Sequence, residues 1–394
     1  MKSRYFFVLL LLFLTLASTA PASTIWYVNG VSGTDSNSCT AVTSACKTIG
    51  HAISLAASGD SIVVAAATYQ ENLSINKNLT LMGSSATTTI IDGGRRGSVV
   101  GISSAAYVNL SQFTIQNGYA RYGGGIGNSG TLRIISSNVS NNKTSPPSTC
   151  FFGCNANGGG ISNVGTLTIN NTTVSGNTTY TSRGRTGAAG GGIWNQGSLT
   201  VNNSTVRGNT AQAGSCSDAE GGGIGNSGTA FVNNSTITGN TVAGCGPTTG
   251  GGGIWNQGNI TMSNVTVNAN AGGVDTQFGQ SAVIQNSIVA NNGTDCGGSM
   301  SSKGYNLSSD DTCSFSGPGD LNNTDPKLGT LGFYGGPTET IPLLSGSPAI
   351  DAGDPNGCTD NQGNLLKTDQ RGMPRPDRED KGGCDMGAYE SQSD

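Results

Sequence analysis

GGGISNVGTLTINNTTVSGN, residues 158–177, is the stretch that decides the fold, because four other segments align with it without gaps. These segments also begin with glycine and end with asparagine, and they occupy residues 123–142, 190–209, 221–240 and 251–270. The five starts are 35, 32, 31 and 30 residues apart, and the additional residues fall in stretches rich in Ser, Thr and Gly. A core of constant length with variable inserts is typical of a solenoid.

Apolar and hydroxyl residues alternate within each repeat, as in Leu167-Thr168-Ile169 and Leu199-Thr200-Val201. This period of two predicts β-strands. The strands are too short to fold as isolated hairpins, so each coil buries its inward side chains only by stacking on the next coil, about 4.8 Å away. The repeat therefore predicts an all-β chain, a single-stranded parallel β-helix.

Asparagine and glycine recur at fixed positions of the repeat. We expect both asparagine columns to stack at corners, tolerate left-handed backbone and hydrogen-bond to one another; they are Asn128, Asn163, Asn195, Asn226 and Asn256, and Asn142, Asn177, Asn209, Asn240 and Asn270. We expect the glycine column to mark turns with positive φ; it comprises Gly130, Gly165, Gly197, Gly228 and Gly258.

The two ends of the chain differ from the repeat region. Residues 1–22 have the basic start, apolar run and small-residue end of a secretory signal peptide. Residues 23–60 predict an N-terminal cap with an amphipathic helix from Lys47 to Ala56 that carries His51 in a structural role. The β-helix is expected over residues 61–330. Residues 331–394, which hold many of the acidic side chains, are expected to form an irregular C-terminal cap.

Ten cysteines in an exported chain predict disulfide bonds rather than a metal site. Their spacing suggests the pairs Cys39/Cys46, Cys150/Cys154, Cys216/Cys245, Cys296/Cys313 and Cys358/Cys384. Charged residues make up 11% of the chain and the net charge is −4, so neither nucleic acid nor an anionic membrane is an expected partner. No second apolar run follows the leader, and we expect a monomer without a transmembrane segment in the mature chain.

The GGGI and V-x-x-N repeats are similar to those of bacterial polymorphic outer-membrane proteins. The later sequence resembles the choice-of-anchor Q domain-containing proteins, through NSIVANN (286–292), KGYNL (303–307), DPKLG (325–329), SPAIDAG (347–353), DQRG (369–372) and CDMGAYE (384–390). The resemblance implies a right-handed parallel β-helix outside the cell, with no settled activity and no catalytic residues to transfer. Those proteins usually carry a sorting signal after the last segment, and here only residues 391–394 follow, which puts covalent or membrane anchoring in doubt.

An enzyme is the alternative function, since parallel β-helices also serve as scaffolds for polysaccharide lyases and hydrolases. Glycoside hydrolysis needs two carboxylates on one face, and a lyase typically needs acidic calcium ligands with a basic residue nearby. Between Gly93 and Val274 the acidic residues are Asp218 and Glu220, both in one variable loop. We therefore expect no catalytic residues in the central rod and a protein that is not an enzyme.

Asp354, Asp369 and Asp385 are the first candidates for a calcium site, because Ca²⁺ prefers carboxylate oxygens. Their spacing matches no calcium loop, and a capping or ion-pairing role is the alternative. No other cofactor is expected.

Trp194 and Trp255 follow the inward isoleucine of their repeats, so both are expected to point outward, two coils apart with Gly225 between them. They would form a platform on which sugar rings stack. In the alternative reading, the indoles fold across Gly225 and only fill space. The sequence thus predicts a secreted or surface-associated binding protein, structural or adhesive, whose partner is an extracellular glycan or a surface protein.

Overall fold

The computed structural model describes residues 23–146, 155–182, 187–214, 217–277, 279–377 and 383–392. Over these ranges the chain is a right-handed parallel β-helix, and every ladder between its strands is parallel. The predicted fold class is confirmed. The predicted signal peptide lies outside the described residues.

The coil that contains the 158–177 repeat illustrates how the sequence builds the fold. Its strands are Ile161–Asn163, Thr166–Asn170 and Thr173–Ser175. Leu167, Ile169 and Val174 point into the core and are completely buried. The chain turns between the last two strands at an asparagine with a φ of 48°, where short polar side chains are best tolerated. Each coil contributes a similar inward set, so burial depends on the neighbouring coils.

The largest sheet, called the main sheet, contains nineteen strands among the described residues. They are Ile25–Val28, Asp60–Val64, Ala67–Gln70, Leu79–Gly83, Thr89–Asp92, Tyr107–Ser111, Thr114–Gln116, Thr131–Ile135, Asn138–Ser140, Thr166–Asn170, Thr173–Ser175, Ser198–Asn202, Thr205–Arg207, Thr229–Thr238, Asn259–Asn268, Ser281–Gln285, Ile288–Ala290, Ser301–Ser302 and Leu307–Ser308.

Three smaller sheets complete the described coils. The GGGI sheet contains Leu73–Ile75, Val100–Ile102, Ile126–Asn128, Ile161–Asn163, Ile193–Asn195, Ile224–Asn226, Ile254–Asn256, Val274–Thr276 and Cys296–Gly297. The five-stranded sheet contains Tyr119–Ala120, Lys143–Thr144, Thr178–Thr181, Thr210–Ala213 and Thr241–Ala243. The three-stranded sheet contains Ala156–Asn157, Ala188–Ala189 and Ala219–Glu220.

The N-terminal end of the rod is covered by a short helix, as the apolar pattern predicts. The α-helix spans Ile49–Leu55 and follows a 3₁₀ turn at Val42–Ser44. The Thr48 side chain caps the helix by accepting a hydrogen bond from the backbone N–H of His51. No helix in the described ranges has the length and apolar character of a membrane span.

The recurrent glycines have a different physical role from the predicted one. Gly130, Gly165, Gly197, Gly228 and Gly258 do not adopt positive φ. They stack so closely that a Cβ on each of the last four would overlap the carbonyl oxygen of the glycine one coil before. A Cβ on Gly130 would overlap the carbonyl oxygen of Ala106. The prediction of left-handed turns at this column was therefore wrong. Close backbone approach is what requires glycine here.

Both predicted asparagine columns form side-chain ladders along the rod. Asn163 Nδ2 donates to Asn195 Oδ1 at 2.7 Å, and Asn195 Nδ2 donates to Asn226 Oδ1 at 2.8 Å. The second ladder runs from Asn142 to Asn292 with steps of 2.9–3.0 Å. Neither column has positive φ; left-handed backbone falls on a third set, which includes Asn171, Asn203, Asn234 and Asn264. The ladders satisfy buried amides between coils.

Residues 326–392, here called the C-terminal arm, fold back along the outer face of the main sheet. In the described part of the arm no helix or strand forms. Gln370 Oε1 accepts a hydrogen bond from Thr236, Arg375 donates to Asn234 Oδ1, and the Thr359 carbonyl accepts from Asn264. The arm thus covers the side of several coils, whereas the sequence predicted only a cap at the end of the rod.

Three of the predicted cysteine pairs are joined by disulfide bonds, Cys39–Cys46, Cys296–Cys313 and Cys358–Cys384. Cys150, Cys154 and Cys216 lie outside the described residues, and Cys245 is exposed. Disulfides persist in proteins that fold under oxidising conditions.

We predict that Asn195→Ala destabilises the rod, because it removes one of the acceptors of Asn163 Nδ2 and leaves Asn226 Oδ1 without the donor from Asn195 in the buried ladder. The expected loss in free energy of unfolding is about 1–3 kcal/mol, measured by urea unfolding followed by circular dichroism. The matched control is Gln212→Ala, at an exposed position of the same coil on the five-stranded sheet. Equal urea midpoints for the two variants would contradict a stabilising role for the ladder.

Candidate functional site on the GGGI sheet

The outward positions of the GGGI sheet form one continuous column along the rod. The strand registers pair each residue of this column with the next, in the order Ser74, Gly101, Gly127, Ser162, Trp194, Gly225, Trp255, Asp275 and Gly297. The five central positions are those predicted from the repeat. The column therefore begins with small residues, continues with two indoles and reaches a carboxylate.

The small residues leave a shallow groove, here called the trough, with a volume of about 740 Å³. Its floor includes Gly127 and Ser162, and Tyr122 and Gln196 border it. Tyr122 is 45% exposed, and the Arg121 guanidinium lies 4.9 Å from the centre of its ring. An exposed aromatic face beside hydroxyl and amide groups can stack on a sugar ring and hydrogen-bond its hydroxyls.

The two indole rings are stacked and buried. Their ring centroids are 6.2 Å apart with an interplanar angle of 26°, and Trp194 and Trp255 are 7% and 2% exposed. A Cβ built on Gly225 would lie 2.7 Å from Cε3 of Trp194, so this ring lies across the glycine. This is the space-filling arrangement that the sequence left as the alternative to an open stacking platform. Ligand binding by these indoles remains a prediction.

Both buried indole N–H groups lack a hydrogen-bond partner. A buried donor without an acceptor costs about 1–3 kcal/mol. The two rings pack with Ala189 in a small apolar cluster that is separate from the main core. Each indole therefore keeps an unused hydrogen-bond donor inside the fold.

Glu220 lies in the three-stranded sheet, at the end of the strand Ala219–Glu220. It pairs in register with Ala189, which contacts the indoles, so its side chain points to the same side. The pKa of Glu220 is raised to about 7, mainly because the carboxyl group is buried. The hydrogen bond that Thr248 Oγ1 donates at 2.9 Å lowers this pKa, and the nearby charge of Asp218 raises it. Glu220 is thus a carboxyl group able to exchange a proton near neutral pH.

Asp275 follows Trp255 in the outward column of the GGGI sheet, one coil later. Its carboxylate lies against Gly250, and Gly250 pairs with Glu220 of the preceding coil. Burial raises the pKa of Asp275 as well. A cavity of about 310 Å³ adjoins this carboxylate, and its lining includes Gly250 and Gly297.

Sequence analysis missed this pair of carboxylates because it treated Asp218 and Glu220 as one variable loop and stopped at Val274. The signal was available: Val274-Asp275-Thr276 aligns with Ile254-Trp255-Asn256, which places the aspartate at the next outward position. The expectation of no carboxylate pair concerned the rod between Gly93 and Val274 and stays a prediction, because Asp275 lies just beyond that range.

The three aspartates proposed for calcium are engaged within the C-terminal arm. Asp369 accepts a hydrogen bond from Arg371 Nε at 2.7 Å, and Asp385 Oδ1 accepts from the backbone of Asp351 at 2.8 Å. Asp354 Oδ1 accepts from the backbone of Asn356 at 2.9 Å. These contacts fit the capping and ion-pairing alternative, and calcium binding stays a prediction.

Within the described ranges, the one group of three metal-type side chains that the structure brings together is Cys39, Cys46 and His51. Its two sulfur atoms form a disulfide bond with each other, so they are not thiolate ligands.

No protein-family model and no curated protein sequence matches this chain significantly. Among solved structures, it is similar to pectate lyase Pel9A, with 15% identity, a TM-score of 0.52, and coverage of 93% of this chain and 97% of the other. A pectin methylesterase mutant in complex with a hexasaccharide matches with 16% identity and a TM-score of 0.28, over 71% of this chain and 82% of that one. The PL6-family alginate lyase AlyGC matches with 11% identity and a TM-score of 0.27, over 83% and 58%. The first likeness supports the fold.

We predict that Glu220→Gln stabilises the protein above pH 7 and not at pH 4. The carboxyl group has an ordinary pKa of 4.5 and a folded pKa of about 7. The folded chain therefore binds the proton more tightly than the unfolded chain, and wild-type stability falls as pH rises from 4.5 towards 7. The neutral amide escapes this loss, a difference of about 3 kcal/mol.

The measurement is urea unfolding of both proteins at pH 4 and pH 8. Asp311→Asn, which neutralises an exposed carboxylate, is the control and should shift the midpoint little at either pH. A Glu220→Gln variant whose stability parallels that of the wild type across this range would contradict the raised pKa.

Proposed function

We propose that this chain is an exported β-helix protein that binds extracellular glycans along the trough of the GGGI sheet. The observation that carries the proposal is the trough itself, an open groove with a glycine and serine floor beside the exposed ring of Tyr122. A floor without bulky side chains lets an extended chain lie against the sheet, and the ring offers a stacking face.

Export is supported by the composition of residues 1–22 and by three disulfide bonds. Affiliation with the choice-of-anchor Q proteins is part of the same proposal, and it rests on the motifs from residue 286 to residue 390. We propose a monomer with a structural or adhesive role, whose partner is a glycan in preference to a surface protein. The pectate lyase of similar architecture is in line with a glycan partner.

A polysaccharide lyase or hydrolase is the second candidate, and one observation favours it. Glu220 and Asp275 approach Gly250 from neighbouring coils, and burial raises the pKa of both carboxyl groups. A hydrolase needs one protonated and one ionised carboxyl group across the bond that it cleaves. Glu220 pairs in register with Ala189, which packs against the buried indoles, whereas the trough is open.

We predict that filling the trough abolishes glycan binding. A Cβ on Gly127 would have no atom nearer than Ser98 Oγ at 4.0 Å, so Gly127→Trp projects into open space and leaves the fold intact. Tyr122→Ala should weaken binding about tenfold through the lost stacking face. Tyr107→Ala, on the main sheet, removes a ring of similar exposure, 42% against 45%, and should bind normally.

The assay is a glycan array probed with the oxidised protein, with and without calcium, followed by analysis of the bound glycans for cleavage. Binding that survives Gly127→Trp would overturn the trough as the site. If the wild-type protein shortens the glycans and the variants Glu220→Gln and Asp275→Asn do not, the chain is an enzyme and not a binding protein.

A further inference from the structure

The charges of this chain are divided along the rod. Residues 93–217 contain eight Lys and Arg and no Asp or Glu, while nineteen of the 23 acidic residues follow residue 217. Two of the eight cations, Arg183 and Arg185, lie outside the described residues. An anionic partner is therefore attracted to the first half of the rod and repelled by the second half.

Two cations of the basic half share a groove on the five-stranded sheet, away from the trough. The groove has a volume of about 550 Å³ and is lined by Arg95, Tyr119, Lys143 and Thr178, together with the corner at Asn141. Tyr119, Lys143 and Thr178 are consecutive members of one outward column. Both cationic side chains are exposed, and Tyr119 is 43% exposed.

The cations in this groove have no carboxylate partner. The ion pairs among the described residues are Arg207–Glu339, Arg371–Asp369 and Arg375–Glu390. Lys143 Nζ instead lies 4.8 Å from the ring centre of Tyr180. Asp92, the acidic residue closest to Arg95 in sequence, already accepts hydrogen bonds from Gly94, Gln116 and Asn117.

We propose that this groove, formed by Arg95, Tyr119 and Lys143, is a second binding site that takes an acidic glycan chain. The two cations would pair with carboxylate or sulfate groups of the chain, which they recognise by the same charge-assisted hydrogen bonds. Tyr119 supplies a face for a sugar ring, and Asn141 and Thr178 supply neutral hydrogen-bonding groups.

Charge favours a glycan over a nucleic acid in this groove. The net charge of the chain is −4, and the acidic half of the rod would repel the regular line of phosphates on a duplex that extends past the groove. A short acidic oligosaccharide lies within the basic half alone. The site is on a different sheet from the trough, so it stands or falls independently of the proposed function.

The test compares four probes on the full, oxidised protein by biolayer interferometry: a polygalacturonate oligomer, a heparin oligosaccharide, neutral dextran and duplex DNA. We expect binding of an acidic oligosaccharide that weakens with added salt. Binding of the polygalacturonate alone, of heparin alone or of both supports the site and identifies carboxylate, sulfate or either as the recognised group.

The variant Arg95→Gln/Lys143→Gln should lower the affinity for the acidic oligosaccharide roughly tenfold or more. Arg133→Gln is the matched control, because it removes an exposed cation of the same acid-free stretch on the main sheet. Gly127→Trp should leave this binding unchanged, which separates the groove from the trough.

The proposal is overturned if no acidic oligosaccharide binds, if dextran or DNA binds as tightly, or if Arg133→Gln reduces affinity as much as the double variant. Retained affinity in a folded double variant, checked by its circular dichroism spectrum, also overturns it.

Discussion

The structure depends on the in-register stacking of coils at the spacing of paired β-strands. Because each coil buries its Ile, Leu and Val side chains only against its neighbours, no coil is stable alone. The glycine column shows how tight this constraint is, since a Cβ there would overlap the carbonyl oxygen of the residue below it. The asparagine ladders hold the same register with side-chain hydrogen bonds.

The same register turns a repeat in sequence into columns on the surface. On the GGGI sheet one column runs from small residues through Trp194 and Trp255 to Asp275. Where the residues of this column are small, the surface is an open trough. Where they are tryptophans, the buried rings fill that space. The three-stranded sheet, built from residues between the repeats, then places Glu220 in register with Ala189, which packs against the indoles.

The C-terminal arm determines which faces of the rod remain open. It lies along the outer face of the main sheet and is attached through Thr236, Asn234 and Asn264. Within the arm, Arg375 forms a buried ion pair with Glu390, which fixes the end of the segment. A buried pair is costly to break from one side only. The trough and the basic groove both lie on sheets that these contacts leave open.

The sequence by itself determined the β-helix, its strand register and the outward column of the GGGI sheet, because a period repeated five times leaves one way for the coils to stack. It did not determine the path of the arm, since contacts such as Thr236 with Gln370 join segments 134 residues apart that share no periodicity. The burial of the indoles and the approach of Asp275 to Gly250 depend on the size and position of inserts, which vary in length from coil to coil. Only the tertiary structure therefore decided which outward residues are open to a ligand.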